Sequence, residues 1–205
     1  MDITCIGDSI RIQYTPRVKE LLGSDFSVFA PKENCRFAKY TLRGMFDWKK
    51  DMKTSRIVHW NNGLWDVCDI FGDGMFTKEA EYVETMLRIA DILKSRHETV
   101  IFATTTPVRP ENPYNRNEDI LRYNELLVPQ LTARGILIND LYTPVAADIY
   151  RYISGDNIHL TEEGIELCAK QTADAIRSAA ALLTETEESD GDESTPDVGG
   201  APIVL

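Results

Sequence analysis

Cysteine, histidine and basic residues are all scarce in this 205-residue chain, and each shortage removes a class of function. The four cysteines, Cys5, Cys35, Cys68 and Cys168, are too few and too scattered for a disulfide-dense scaffold. No CxxC pair occurs and the three histidines show no ligand spacing, so neither a metal nor another cofactor is expected. Only 22 Lys and Arg stand against 33 Asp and Glu, a net charge of -11, which argues against a nucleic-acid footprint or an anionic-membrane partner. No run of 18 apolar residues is present, so no spanning helix is expected. The opening residues MDITCIGDS lack a basic segment followed by an apolar run, and the expected location is the cytoplasm. There is no Walker A loop, and Gly72-Asp73-Gly74 alone points to no phosphate or calcium chemistry.

What is present is 43% hydrophobic residues, enough for one substantial core. The acidity is concentrated. Residues 184–200 carry seven acidic and no basic side chains, leaving -4 for the rest. Residues 184–205 therefore read as a disordered acidic tail, and residues 1–183 as one domain. Within it, short apolar runs at 3–6, 26–29, 56–59, 99–104 and 135–139 alternate with longer segments of helical period. That alternation predicts an α/β domain with parallel strands covered on both faces. Helices are expected at 10–22, 78–94 and 120–131, the last interrupted at Pro129. A final helix to residue 183 has Thr161 as N-cap and Leu160 with Ile165 as a hydrophobic staple. The aromatic- and Pro-containing stretches 61–77 and 105–117 follow predicted strands, at the sheet edge where ligands bind in such folds.

Three short motifs carry candidate chemistry. Gly7-Asp8-Ser9 ends the first strand before a helix, exposing a hydroxyl near backbone donors; the plain alternative is an N-cap. Asp156-Asn157-Ile158-His159 sets a carboxylate beside an imidazole: His159 can accept a serine proton and Asp156 can hold its other nitrogen, or the pair are turn residues. In His59-Trp60-Asn61-Asn62 a strand discharges into two amides, either an oxyanion donor or an Asx turn. His59 reads as a site-lining residue, His97 as a solvated helix end, and Asp66 either orients Arg36, Arg43 or substrate or is a turn or surface carboxylate.

Taken in chain order, 7–9, 59–62 and 156–159, these three blocks resemble the SGNH hydrolase superfamily, the GDSL-type esterases and lipases. The resemblance implies a flavodoxin-like three-layer α/β/α sandwich around a five-stranded, mainly parallel sheet. It also implies nucleophile Ser9, base His159, orienting acid Asp156 and oxyanion donors from the Ser9 backbone and Asn61. His59 and Asn62 stand where the family has Gly and Asp. The second block usually supplies a Gly N–H, yet residues 29–36 contain no Gly; Asn34 or the Cys35 backbone is expected to substitute. Asn34, Arg36, His59, Asn62 and Trp65 are candidate substrate-lining residues. The expected activity is hydrolysis of a small acyl ester, acetyl above all, on a carbohydrate or other polar scaffold. The alternatives are a noncatalytic carbohydrate-binding or interaction protein and an acyltransferase.

Overall fold

The computed structural model describes residues 1–191, with side chains through Glu185. Five strands, β1 (Asp2–Ile6), β2 (Ser27–Phe29), β3 (Ile57–Trp60), β4 (Thr99–Ala103) and β5 (Leu137–Asn139), form one sheet in the order β2-β1-β3-β4-β5. Every pairing is parallel. The register Ile3↔Ile57 through Ile6↔Trp60 aligns the carboxyl ends of β1 and β3. Ile3, Ile57, Val58, Val100 and Phe102 are all buried, as strands covered on both faces require.

Among the described residues seven α-helices accompany the sheet: α1 (Ser9–Leu22), α2 (Ala38–Asp47), α3 (Glu79–Lys94), α4 (Asn117–Thr132), α5 (Tyr142–Ala146), α6 (Ile149–Tyr152) and α7 (Glu162–Gly191). α1 packs along α7 on one face, while α2, α3 and α4 form a row on the other. The result is a three-layer α/β/α sandwich with a flavodoxin-like strand order. In such a sheet the ligand crevice lies beyond the carboxyl ends of the two strands where the winding reverses, here β1 and β3.

Several boundaries differ from the sequence expectation for physical reasons. Helix α2 lies outside the sequence expectation, because its buried stripe of Ala38, Thr41, Gly44 and Met45 includes a threonine and a glycine and so does not stand out as an apolar period. At mid-helix stands Gly44, where a Cβ would lie 2.3 Å from the Trp48 ring. Pro129 does not interrupt α4, since the carbonyl it leaves without a donor belongs to exposed Glu125 near the helix end. Thr161 caps α7 as expected, its Oγ1 accepting from Gly164 N at 3.1 Å. That helix continues to Gly191, past residue 183 into the acidic stretch; the rest of the tail, 192–205, lies outside the described residues. Among the described residues no helix is long and apolar enough to cross a membrane.

Candidate active site

Ser9 is the first residue of α1, delivered there by β1 through Gly7 and Asp8. Asp8 is the N-cap: its Oδ1 accepts from Ile10 N at 3.0 Å and from Asn61 Nδ2 at 2.9 Å. The Asn61 amide also explains Gly7, because a Cβ there would stand 1.9 Å from Asn61 Oδ1. Asp8 is fully buried, and desolvation pushes its pKa up against the hydrogen bonds of Asn61 and Ile10 and the nearby Arg11 charge. The motif after β1 and the motif after β3 thus interlock at the sheet crevice.

The turn at 153–160, between α6 and α7, brings the third motif to the same place. His159 Nε2 lies 3.0 Å from Ser9 Oγ, and His159 Nδ1 lies 2.7 Å from Asp156 Oδ2. The other carboxylate oxygen accepts from Ile158 N, His159 N and Ser154 Oγ at 2.7 to 3.0 Å. Desolvation acts to raise the Asp156 pKa, but the backbone donors of His159 and Ile158, the Ser154 hydroxyl and the His159 ring together hold it well below the usual carboxylate range. An ionised carboxylate can only accept, so the imidazole proton sits on Nδ1 and Nε2 presents its lone pair to Ser9.

Other expected site residues lie elsewhere. His59 is fully buried on β3; its Nε2 accepts from Asn139 Nδ2 at 3.0 Å and its ring meets Tyr14 edge-on. Burial pushes its pKa down to about 3, so it is a neutral core histidine and not a site-lining one. The alternation of side chains along β3 accounts for this: His59 and Asn61 are two apart, but the strand ends at Trp60 and the turn re-aims Asn61. Asn62 is fully buried as well: Oδ1 accepts from Trp60 Nε1 at 2.8 Å and Nδ2 donates to Arg36 O at 2.7 Å, so it braces loops rather than lining the site. Asn34 folds its own loop, accepting from Arg36 N at 2.8 Å.

The Cys35 N–H is committed to Gly7 O at 3.1 Å, while Gly7 N donates to the Cys35 sulfur at 3.3 Å. It is therefore a brace between the second block and the serine turn, and it is not an open oxyanion donor. Arg36, with φ of 50°, occupies the left-handed backbone position that a Gly would take most easily. Arg36 and Trp65 do line the cleft containing Ser9, together with Phe37, Leu64, Phe76 and Tyr114. Its volume is about 230 Å³.

Sequence reasoning missed two residues that build this site and misread a third. Arg11 is buried, donating to Pro31 O at 2.8 Å, Glu33 O at 2.9 Å and Gly7 O at 3.1 Å, which ties the second block to the serine turn. The available signal was its place on the stripe with Thr15, Val18 and Leu22. Gln13 holds the His159 turn, donating to Leu160 O and accepting from Leu160 N. Asp66 is neither a surface carboxylate nor a partner of Arg36 or Arg43. It is buried at the start of α2, where both oxygens accept from Ala38 N, and burial pushes its pKa up to about 7 against its bonds to Thr77 and Ala38. His97 is likewise buried, with Nδ1 on Ser55 O at 2.8 Å and a pKa lowered first by burial. Larger surface grooves, of about 410 and 770 Å³, run beside α2 and α3 without touching Ser9 or His159.

No family model and no curated protein matches the sequence. Solved structures match its fold. The fold is similar to that of an acetyl xylan esterase, AlAXEase, at TM-score 0.74 and 16% identity, over 86% of this chain and 100% of that one. A lipase/acylhydrolase from Enterococcus faecalis superimposes with TM-score 0.71 at 16% identity, over 87% and 96%. A GDSL-like lipase from Bacteroides thetaiotaomicron gives 0.67 at 18%, over 87% and 88%. The fold is that of the SGNH or GDSL-type esterases, lipases and acylhydrolases.

Proposed function

We propose that the protein is a serine hydrolase of carboxylic esters, with Ser9 as nucleophile, His159 as general base and Asp156 as orienting acid. The observation that carries this reading is the unbroken line of Ser9, His159 and Asp156 at 3.0 and 2.7 Å, drawn from opposite ends of the chain into the crevice. Ser9 Oγ attacks the ester carbonyl as its proton passes to His159 Nε2, and the depressed pKa of Asp156 keeps a negative charge beside the imidazolium. The carbonyl oxygen becomes an oxyanion, met by the Ser9 N–H at the start of α1 and by the second amide hydrogen of Asn61, the first being held by Asp8. His159 then protonates the departing alcohol, activates water, and the acyl group leaves as the acid.

A small acyl group on a carbohydrate is a second reading, favoured by the acetylxylan esterases among the structures of similar fold. The same first half-reaction would serve an acyltransferase. The test is acyl release from short-chain p-nitrophenyl esters and acetylated xylo-oligosaccharides by wild type and Ser9→Ala. The variant should lose at least about 10³-fold in kcat; equal rates for folded samples of both would sink the proposal.

A further inference from the structure

Six of the chain's 22 basic residues gather on one face, away from Ser9. The two grooves beside α2 and α3 share Met45, Lys49 and Arg96, so they form one continuous channel, and Lys39, Arg43, Lys53 and Arg88 complete its rim. Among the described residues no acidic side chain lines it. Lys39 pairs with Glu81 and Arg43 with Asp47, whereas Lys49, Lys53, Arg88 and Arg96 make no ion pair among the described residues. The floor is apolar. Met45, Met52 and Leu93 are buried there, and Phe46 stands 60% exposed, with the Lys49 ammonium 3.9 Å and the Arg43 guanidinium 5.2 Å from its ring centroid. Like charges held this closely repel one another, so a rim of unpaired cations over an apolar floor is complemented by a segment that is both anionic and partly apolar.

The chain itself contains such a segment. By sequence, residues 192–205 hold Asp192, Glu193 and Asp197, no Lys or Arg, and then Val198, Ile203, Val204 and Leu205. The net charge of -11 weighs against an external polyanion as occupant, whereas a segment tethered to the same chain meets the groove at an effective concentration of order millimolar. The topology also brings the two together. Helices α2 and α3 lead into β3 and β4, so their last turns, where the groove opens at Lys49, Lys53 and Arg96, lie at the amino edge of the sheet. Helix α7 runs in the same direction as α1, with Glu166 beside Arg17 and Arg177 beside Leu21, and therefore leaves the domain at that same edge. From Gly191 the residues 192–205 can span about 45 Å when extended, against roughly 20 Å through three layers about 10 Å apart.

We propose that residues 192–205 seat in this groove of their own chain. Asp192, Glu193 and Asp197 pair with the cations Lys49, Lys53, Arg88 and Arg96, and the apolar residues 203–205 cover the floor beside Phe46. Neither groove touches Ser9 or His159, so the proposal stands independently of the hydrolase reading.

The experiment is zero-length carbodiimide cross-linking of the full chain, read by peptide mass spectrometry, because it joins only carboxylates and lysines already in contact. Cross-links from Asp192, Glu193 or Asp197 should fall on Lys49 and Lys53 at least about fivefold more often than on Lys19 and Lys170, exposed lysines of α1 and α7 on the opposite face. Arg88→Glu combined with Arg96→Glu keeps both groove lysines and alters exposed side chains alone, and it should cut that yield at least about fivefold, as should about 0.5 M NaCl. In an equimolar mixture of unlabelled and isotope-labelled protein, each cross-linked pair should carry a single isotope. Mixed pairs would assign the groove to the segment of a second copy and overturn seating within one chain. Cross-links spread evenly over Lys19, Lys49, Lys53 and Lys170, a yield indifferent to the two arginine substitutions, or no cross-link to the groove at all would each overturn the proposal.

Discussion

The two halves of the candidate site are built in opposite ways. On the nucleophile side, Asp8, Arg11 and Asn61 are at most 5% exposed, and their polar atoms interlock three segments distant in sequence. On the base side, the Asp156 and His159 side chains are 50% and 38% exposed, and Asp156 takes every bond from within its own turn. For the proposed hydrolysis the serine and its oxyanion donors must stand still while charge develops on the substrate, and burial supplies that rigidity. The imidazole must exchange protons with substrate, leaving group and water, which needs access. The nucleophile side is thus bound to the stability of the whole fold, whereas the base side is a local device placed on its surface.

The sharpest way to break this comparison is Asp156→Asn. The amide keeps the shape but can donate to Nδ1, which favours the tautomer with its proton on Nε2, pointed at Ser9. Ester turnover should fall by about 10⁴-fold while thermal unfolding changes little. A large loss of melting temperature would show that the turn is integral to the fold after all. Asn61→Ala comes next, with an expected loss of about 10² to 10³ in kcat and little change in KM, because its second hydrogen matters only once the oxyanion forms. An effect confined to KM would assign Asn61 to ground-state binding.

Arg11→Met should reverse the pattern of Asp156→Asn. It removes the guanidinium donor from the buried Pro31 carbonyl and the partly buried Glu33 carbonyl, and leaves Gly7 O with the Cys35 N–H alone. About 3 kcal/mol of stability should disappear, visible as a drop of roughly 6 to 12 °C in Tm, with only about tenfold in turnover. A variant as stable as wild type would mean that water replaces the guanidinium, and that the second block is not held through Arg11.

The same contrast explains what the sequence made legible. The meeting of Ser9, His159 and Asp156 in one hydrogen-bonded line was readable because each stands in a short local motif, and the hydrophobic periods of α3 and α7 and the apolar runs of the strands were strong enough to order the layers. Arg11, Gln13 and Asp66 were not, since their partners are backbone groups or residues brought close only by folding. His59 was misplaced for a related reason. A histidine next to a motif looks functional, but the pleat of β3 sends it under α1 and α7 to Asn139, and only the register reveals which face it takes. Cys35 was close to right in position, while its N–H was already spent on Gly7, which a linear motif has no means of showing.

Asp66 provides the finest test, because two effects compete there. Its carboxylate caps α2 in place of the absent side-chain cap at Phe37, and the helix terminus favours the ionised form. Burial, with the charges of Asp8 and Glu81 nearby, favours the neutral form and prevails, giving a pKa of about 7. The folded state therefore holds a proton that the unfolded chain releases near pH 4, so this group's stabilising contribution is complete at low pH. It declines as pH rises from about 4 to about 7 and is constant above that. Asp66→Asn fixes the neutral state and removes the decline, so the Tm of wild type minus that of the variant should fall between pH 5 and pH 8. Turnover at saturating substrate should change by less than about twofold, since Asp66 reaches the cleft only through its neighbours Trp65 and Phe37. If the difference instead grows with pH, the helix terminus outweighs burial, and the carboxylate behind the cleft wall is ionised throughout the physiological range.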